Sequence, residues 1–300
     1  MKKKLKNSKL LLLLVFALAF VMTGCSLSKR DGISKTTETT REITEMPEQP
    51  TGSIVVVSED DTQTEAAATK EETETELTTE EEIINPYENI IVAIDAGHQR
   101  YGNSDREPIG PGATETKAKV SGGTRGVASG LAEYELNLIV ALKLKDRLTE
   151  LGYQVVMVRE SHDVDISNSE RAAVANNAGA DVFLRIHANG SENSGANGIL
   201  TMCQTAYNPY CSDYYEDSYR LANCLLEEMV ASTGAKSCGV SCVDNMSGIN
   251  YCQVPVTIIE MGFMTNPDED MKLANDDYQN LIVDGIIKGL DKYFEINDEE

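Results

Sequence analysis

The sequence predicts an α/β domain with a largely parallel, twisted sheet and helices on both of its faces. Three observations lead there. Continuous apolar runs such as Ile90-Ile91-Val92-Ala93-Ile94 recur, and such runs read as strands buried on both faces. Long stretches of helix formers end at a glycine, the residue that most readily caps a helix. The two kinds of segment alternate without an internal repeat, which implies a sheet covered on both faces.

In chain order, the strand from Ile90 ends in Asp95-Ala96-Gly97. Residues 99–130 form a stretch rich in Gly, Ser, Thr and Pro, longer than an ordinary connection. It reads either as the rim of a cleft or as a disordered insertion. Ala132–Leu151 is predicted as a helix capped by Gly152, followed by a strand over Tyr153–Arg159. A helix over Ser169–Ala178 stops at Gly179, and Asp181–Ile186 is the next strand. Ser218–Thr233 is a helix stopped by Gly234. Val254–Glu260 is a strand that Pro255 places either at its own start or at a sheet edge. Leu281–Phe294 closes the domain as a helix. Residues 90–300 are thus one domain of about 210 residues, enough for a proper core.

The rest of the chain differs in composition. Residues 1–25 hold five lysines and no acid, and residues 26–89 hold 17 acids against 5 bases. The apolar run Leu10–Met22 is shorter than the roughly 20 residues of a membrane span and fits a secretory signal. Its ending, Thr23-Gly24-Cys25, resembles the lipobox of bacterial lipoproteins. That resemblance implies cleavage after residue 24, lipid on Cys25 and an extracytoplasmic, membrane-anchored protein. Residues 25–89, with 13 threonines after Cys25 and one aromatic, read as a disordered acidic tether. A formal net charge of −23 excludes binding nucleic acid by phosphate neutralisation.

The chain has three histidines. His98 and His187 follow predicted strands, at the sheet edge where α/β folds bind ligands. His162 lies in the polar loop Ser161-His162-Asp163 and reads as solvated. Two histidines need a third donor, commonly a carboxylate, to hold a catalytic zinc. Glu133 and Glu135 both open the predicted helix, and they point about 200° apart, so one alone can face the site. Glu260 ends the apolar run Val256-Thr257-Ile258-Ile259, as a general base or as half of a structural ion pair.

The series Ile94-Asp95-Ala96-Gly97-His98, Gly130-Leu131-Ala132-Glu133, Ile186-His187-Ala188-Asn189 and Ile259-Glu260-Met261-Gly262-Phe263 resembles the zinc-dependent N-acetylmuramoyl-L-alanine amidases. Arg171 and Ala175-Asn176 fit as well. The resemblance implies Zn2+ held by His98, Glu133 and His187, with Glu260 as catalytic carboxylate. It implies peptidoglycan as substrate, cut between N-acetylmuramic acid and L-alanine. Two positions depart from the pattern: Gln99-Arg100 where glycines are usual, and Arg185 where a serine is common. Two other readings compete. A solute-binding lipoprotein shares the anchor but usually needs two lobes, and an idle amidase-like regulator should have lost a ligand or the base. No protein activator is named by any motif. Six cysteines, Cys203, Cys211, Cys224, Cys238, Cys242 and Cys252, predict at least one disulfide in an exported domain.

Overall fold

β1 (Ile91–Ala96) lies inside a six-stranded sheet, with β4 (Gln154–Met157) on one side and β5 (Val182–Asn189) on the other, both parallel to it. The computed structural model describes residues 85–296. β8 (Val256–Phe263) continues the parallel set beside β5. β6 (Ile199–Cys203) then pairs antiparallel to β8, and β7 (Ser237–Cys242) runs parallel to β6 at the edge. The predicted α/β class therefore holds, with four parallel strands followed by two reversed ones. β8 is central, so Pro255 marks the start of the strand and not an edge. β5 runs three residues further than the sequence suggests, and His187 sits on it rather than after it.

Alternation along each strand sorts the core. Val92, Ile94 and Ala96 of β1 face one layer, made of α1 (Glu133–Leu151), α3 (Tyr215–Thr233) and α6 (Asp276–Phe294). α1 presents Leu136, Val140, Leu144 and Leu148, spaced one turn apart and fully buried. Each such side chain contributes about 1.5–3 kcal/mol by leaving water. Gly285 and Gly289 bring α6 so close to α3 that a Cβ would stand 2.5 Å from Met229 Cα and 2.7 Å from Leu225 Cα. Ala93 and Phe183 face the opposite layer, with α2 (Asn168–Ala178) and the single-turn α4 (Ser247–Asn250). A further helix, α5 (Pro267–Leu273), is capped by Asn266. Gly152, Gly179 and Gly234 end their helices in the left-handed conformation, as read from sequence.

The stretch 99–130 is ordered. It folds into an antiparallel hairpin, β2 (Asn103–Pro108) and β3 (Thr116–Val120). Buried Glu107 ties it down, accepting from Ser169 of α2 through Oε2 and from Ser247 of α4 through Oε1. The domain's contacts begin before residue 90: Asn85 donates to the carbonyl of Leu151, and Tyr87 packs on Tyr153. Residues 1–84, which include Cys25 and nearly all of the expected tether, lie outside the described residues. Among the described residues no helix is long and apolar enough to cross a membrane.

The expected disulfide is not formed, and all six described cysteines are free thiols. Cys203 and Cys242 are register partners on β6 and β7, with sulfurs 3.8 Å apart, well beyond a disulfide bond. Cys252 and Cys238 instead donate to backbone carbonyls, and Cys211 to the Asn208 side chain.

Candidate metal centre and its cleft

Four parallel strands bring their carboxyl ends to one edge, and there the predicted residues meet. His98 lies just past β1, His187 near the end of β5 and Glu260 opposite it on β8, in direct register. Glu133 enters from the first turn of α1. His98 Nε2 is 3.0 Å from Glu133 Oε1, and His187 Nδ1 is 3.2 Å from the same oxygen. The two imidazoles meet edge to face at 4.7 Å. All three donor groups fall within 4.8 Å of one another. Glu135, the alternative left open by the sequence, turns away and accepts from the backbone N–H of Ala132.

Each donor is held by backbone groups that leave no trace in the sequence. His98 has a left-handed backbone, with φ of 60°, a conformation that non-glycine residues adopt at some cost. Its Nδ1 donates to the carbonyl of Ser121 at 2.9 Å, which leaves Nε2 facing Glu133. Glu133 Oε2 accepts from the N–H of Thr124 at 2.8 Å, while Glu133's own N–H donates to the Thr124 carbonyl. The His187 ring lies against Gly97, where a Cβ would come within 2.3 Å of it. Gly123, at φ of 77°, passes so near that a Cβ would stand 2.8 Å from Glu133 Oε2.

The electrostatics follow from burial and these bonds. Burial alone would raise the pKa of Glu133, but hydrogen bonds from His187 and His98 outweigh it and hold the carboxyl well below its usual range. Burial lowers His187 to about 4, helped by His98 and opposed by Glu133. Burial, with the Glu133 charge added, pushes Glu260 up to about 8 against the pull of Arg185. Beneath the site, Asp95 is fully buried between Arg171, 2.6 Å away, and Arg185, 2.9 Å away. Burial opposes its ionisation, yet the two guanidiniums hold its pKa far below normal. Arg171 and Arg185 stand out singly in the sequence, whereas Asp95 enters only within the series over residues 94–98, with no role of its own. An acid inside an apolar strand was the available signal, because such a charge needs a partner.

The cleft has two lobes that share His98, His187 and Glu260. The smaller, about 270 Å³, is roofed by the hairpin through Lys117 and Val120 and floored by Arg185, Met202 and Ile258. The larger, about 590 Å³, is bounded by Gly122–Thr124, by Gly190–Glu192 and by Thr265. His162 stands apart from both. It is half-buried with its ring against Tyr134 at 5.2 Å, and is not the solvated loop residue expected.

Two imidazoles and a carboxylate meet at the carboxyl edge of an α/β sheet with a second carboxylate beside them, a donor set of the kind that could hold a catalytic metal in a hydrolase. The family described as N-acetylmuramoyl-L-alanine amidase matches residues 92–292, and the chain belongs to that family. It is 33% identical over 210 residues to the uncharacterised protein YqiI of Bacillus subtilis strain 168, covering 70% of this chain and 87% of that one. It is 30% identical to the N-acetylmuramoyl-L-alanine amidase LytC of the same strain, covering 70% of this chain and 36% of LytC. The crystal structure of an N-acetylmuramoyl-L-alanine amidase from Clostridium difficile 630 superposes with a TM-score of 0.56 at 29% identity, covering 70% and 99% of the two chains.

Proposed function

We propose that this chain is a zinc-dependent hydrolase of the amide between N-acetylmuramic acid and L-alanine in peptidoglycan, tethered outside the cell membrane by lipid on Cys25. The observation that carries the reading is the convergence of His98, Glu133 and His187 beside Glu260. The donor set suits zinc: His98 Nε2 and His187 Nδ1 both converge on Glu133 Oε1, two imidazole nitrogens and a carboxylate oxygen. His98, Glu133 and His187 would hold the ion. When bound there, zinc polarises an amide carbonyl and eases the ionisation of water.

The chain's own groups supply the rest. Glu260, which lines both lobes, accepts a proton from the attacking water on its carboxylate and returns it to the departing amine. Ser121 and Thr124 keep the imidazole and carboxylate oriented throughout. The test separates ligand from base. His98→Ala, Glu133→Ala or His187→Ala loses bound zinc and activity together. Glu260→Gln retains zinc and fold while turnover falls by about 10²–10⁴. Near-normal cleavage of the muramoyl-alanine bond by zinc-loaded Glu260→Gln rules out its catalytic role.

For the rest of the chain the reading is a signal peptide over residues 1–24, an anchor and acidic tether over 25–89, and the catalytic domain over 90–300. A tether of this length reaches at most about 220 Å and keeps the domain concentrated near the wall. Cys25→Ala should release the protein from the membrane fraction or leave its precursor uncut. A processed wild type without lipid refutes the anchor.

A further inference from the structure

The two lobes differ in charge. Glu133, Glu192 and Glu260 line the larger one, with no lysine or arginine among the described residues that do. Lys117 and Arg185 line the smaller one, against Glu260 alone. The two cations are also short of partners. Three guanidiniums are buried around the site: Arg159, Arg171 and Arg185. Arg171 spends Nε, Nη1 and Nη2 on Ile166, Asp95, Ala96, His98 and Gln99. Arg159 likewise uses all three nitrogens. Arg185 engages Asp95 through Nε and Asn168 through Nη2, while its Nη1 has no acceptor among the described residues. Gly248 makes room for that nitrogen, since a Cβ there would stand 2.0 Å from it. Lys117 Nζ has only the Asn245 carbonyl at 3.3 Å and the Met246 sulfur at 3.5 Å, a long bond and a weak acceptor.

We propose that Lys117 and Arg185 form a carboxylate subsite for the peptide that carries the departing amine. The inference rests on the amidase reading and adds an orientation to it, with peptide in the smaller lobe and sugar in the larger. The chemistry of the substrate selects the side. The lactyl carboxyl of N-acetylmuramic acid is consumed in the scissile amide, so a free carboxylate near the reacting bond belongs to the peptide. The larger lobe offers no lysine or arginine among the described residues to hold such a group. A buried guanidinium with a spare N–H, beside an ammonium, recognises it by charge-assisted hydrogen bonds.

The test uses the zinc-loaded full chain and two substrates, N-acetylmuramoyl-L-alanyl-D-glutamate and its diamide. Wild type should favour the free acid in kcat/KM by about tenfold or more, the worth of a hydrogen bond to a charged group. Lys117→Gln should bring that ratio close to one, mainly through KM. Lys119→Gln, on the same hairpin but outside the cleft, should keep the wild-type ratio. Equal rates on both substrates in the wild type, or an unchanged ratio in Lys117→Gln, overturns the subsite while leaving the amidase reading intact. Calorimetry with free L-alanyl-D-glutamate and its diamide reads the same preference without catalysis. Selective binding with no amide cleavage would uphold the subsite and remove the amidase reading. Inorganic phosphate displacing the dipeptide at equal concentration would mark a general anion site and overturn its assignment to peptide.

Discussion

Replacing Gly97 by alanine should damage the metal centre while sparing the fold. The new Cβ would stand 2.3 Å from His187 Cε1 and Nε2 and 2.6 Å from Nδ1. The backbone cannot withdraw, because Gly97 N–H donates to Ile186 and its carbonyl accepts from both Asn137 and Arg159. The ring must therefore retreat by about 1.1 Å to regain an ordinary 3.4 Å contact. Overpacking of that kind costs about 1–3 kcal/mol, which a domain with this core should survive. A misplaced ligand is costlier for function: zinc affinity should fall about 10–100-fold, and turnover at saturating zinc by about 10²-fold. Zinc competition with a chromophoric chelator, thermal unfolding and peptidoglycan cleavage read the three quantities separately. Gly122→Ala is the control, since its Cβ would meet nothing within 4 Å, and it should keep wild-type zinc affinity. If Gly97→Ala also binds zinc as the wild type does and turns over normally, the cradle argument fails.

Three further outcomes are expected. Asp95→Asn leaves Arg171 and Arg185 uncompensated and should destabilise the domain by about 3–5 kcal/mol in denaturant titration; a loss under about 1 kcal/mol would contradict the buried triad. In zinc-free protein, His187 takes its proton at about 4 when folded but near 6.5 when unfolded. Acid therefore favours the unfolded chain, and up to about 3 kcal/mol should be lost as pH falls from 6.5 to 4. Asp95 adds to this with the same sign: its stabilisation is present above its ordinary 3.8 and is lost below it. A midpoint temperature of chelated protein that stays flat between pH 6.5 and 4 would refute the His187 assignment. Finally, alkylation of the unfolded domain without reductant should modify all six of its cysteines, and intact mass showing fewer would reveal a disulfide.

What could be read from the sequence was what side chains announce. β1 and β8 are nearly unbroken apolar runs, and α1, α2 and α3 end at glycines whose left-handed geometry is present in the fold. The hairpin was illegible because Asn-Ser-Asp-Arg-Glu-Pro and Thr-Lys-Ala-Lys-Val are polar strands, anchored to α2 and α4 by the tertiary contacts of Glu107. β6 is only five residues long, and β7 is Ser-Cys-Gly-Val-Ser-Cys with a single β-branched residue, so local preference gave little lead. At the site, His98, His187 and Glu260 were visible at strand ends, whereas periodicity could not choose between Glu133 and Glu135. Burial in the folded domain decides for Glu133. The supports at Ser121, Thr124 and Ala188 act through the main chain, and main-chain groups are the same whatever the residue.

The two-lobed cleft divides its walls between unrelated parts of the chain. Lys117, Ala118 and Val120 of the hairpin border only the smaller lobe, whereas Gly190, Glu192 and Thr265 border only the larger. The histidines and Glu260 stand on the partition. A lineage can therefore lengthen, shorten or recharge the hairpin and change which substrates fit beneath it, without disturbing the opposite wall or the reacting centre. The scaffold separates the part that must stay constant from a part free to diversify, and the hairpin over residues 103–120, short of Ser121 and Thr124, is where selection has room to act.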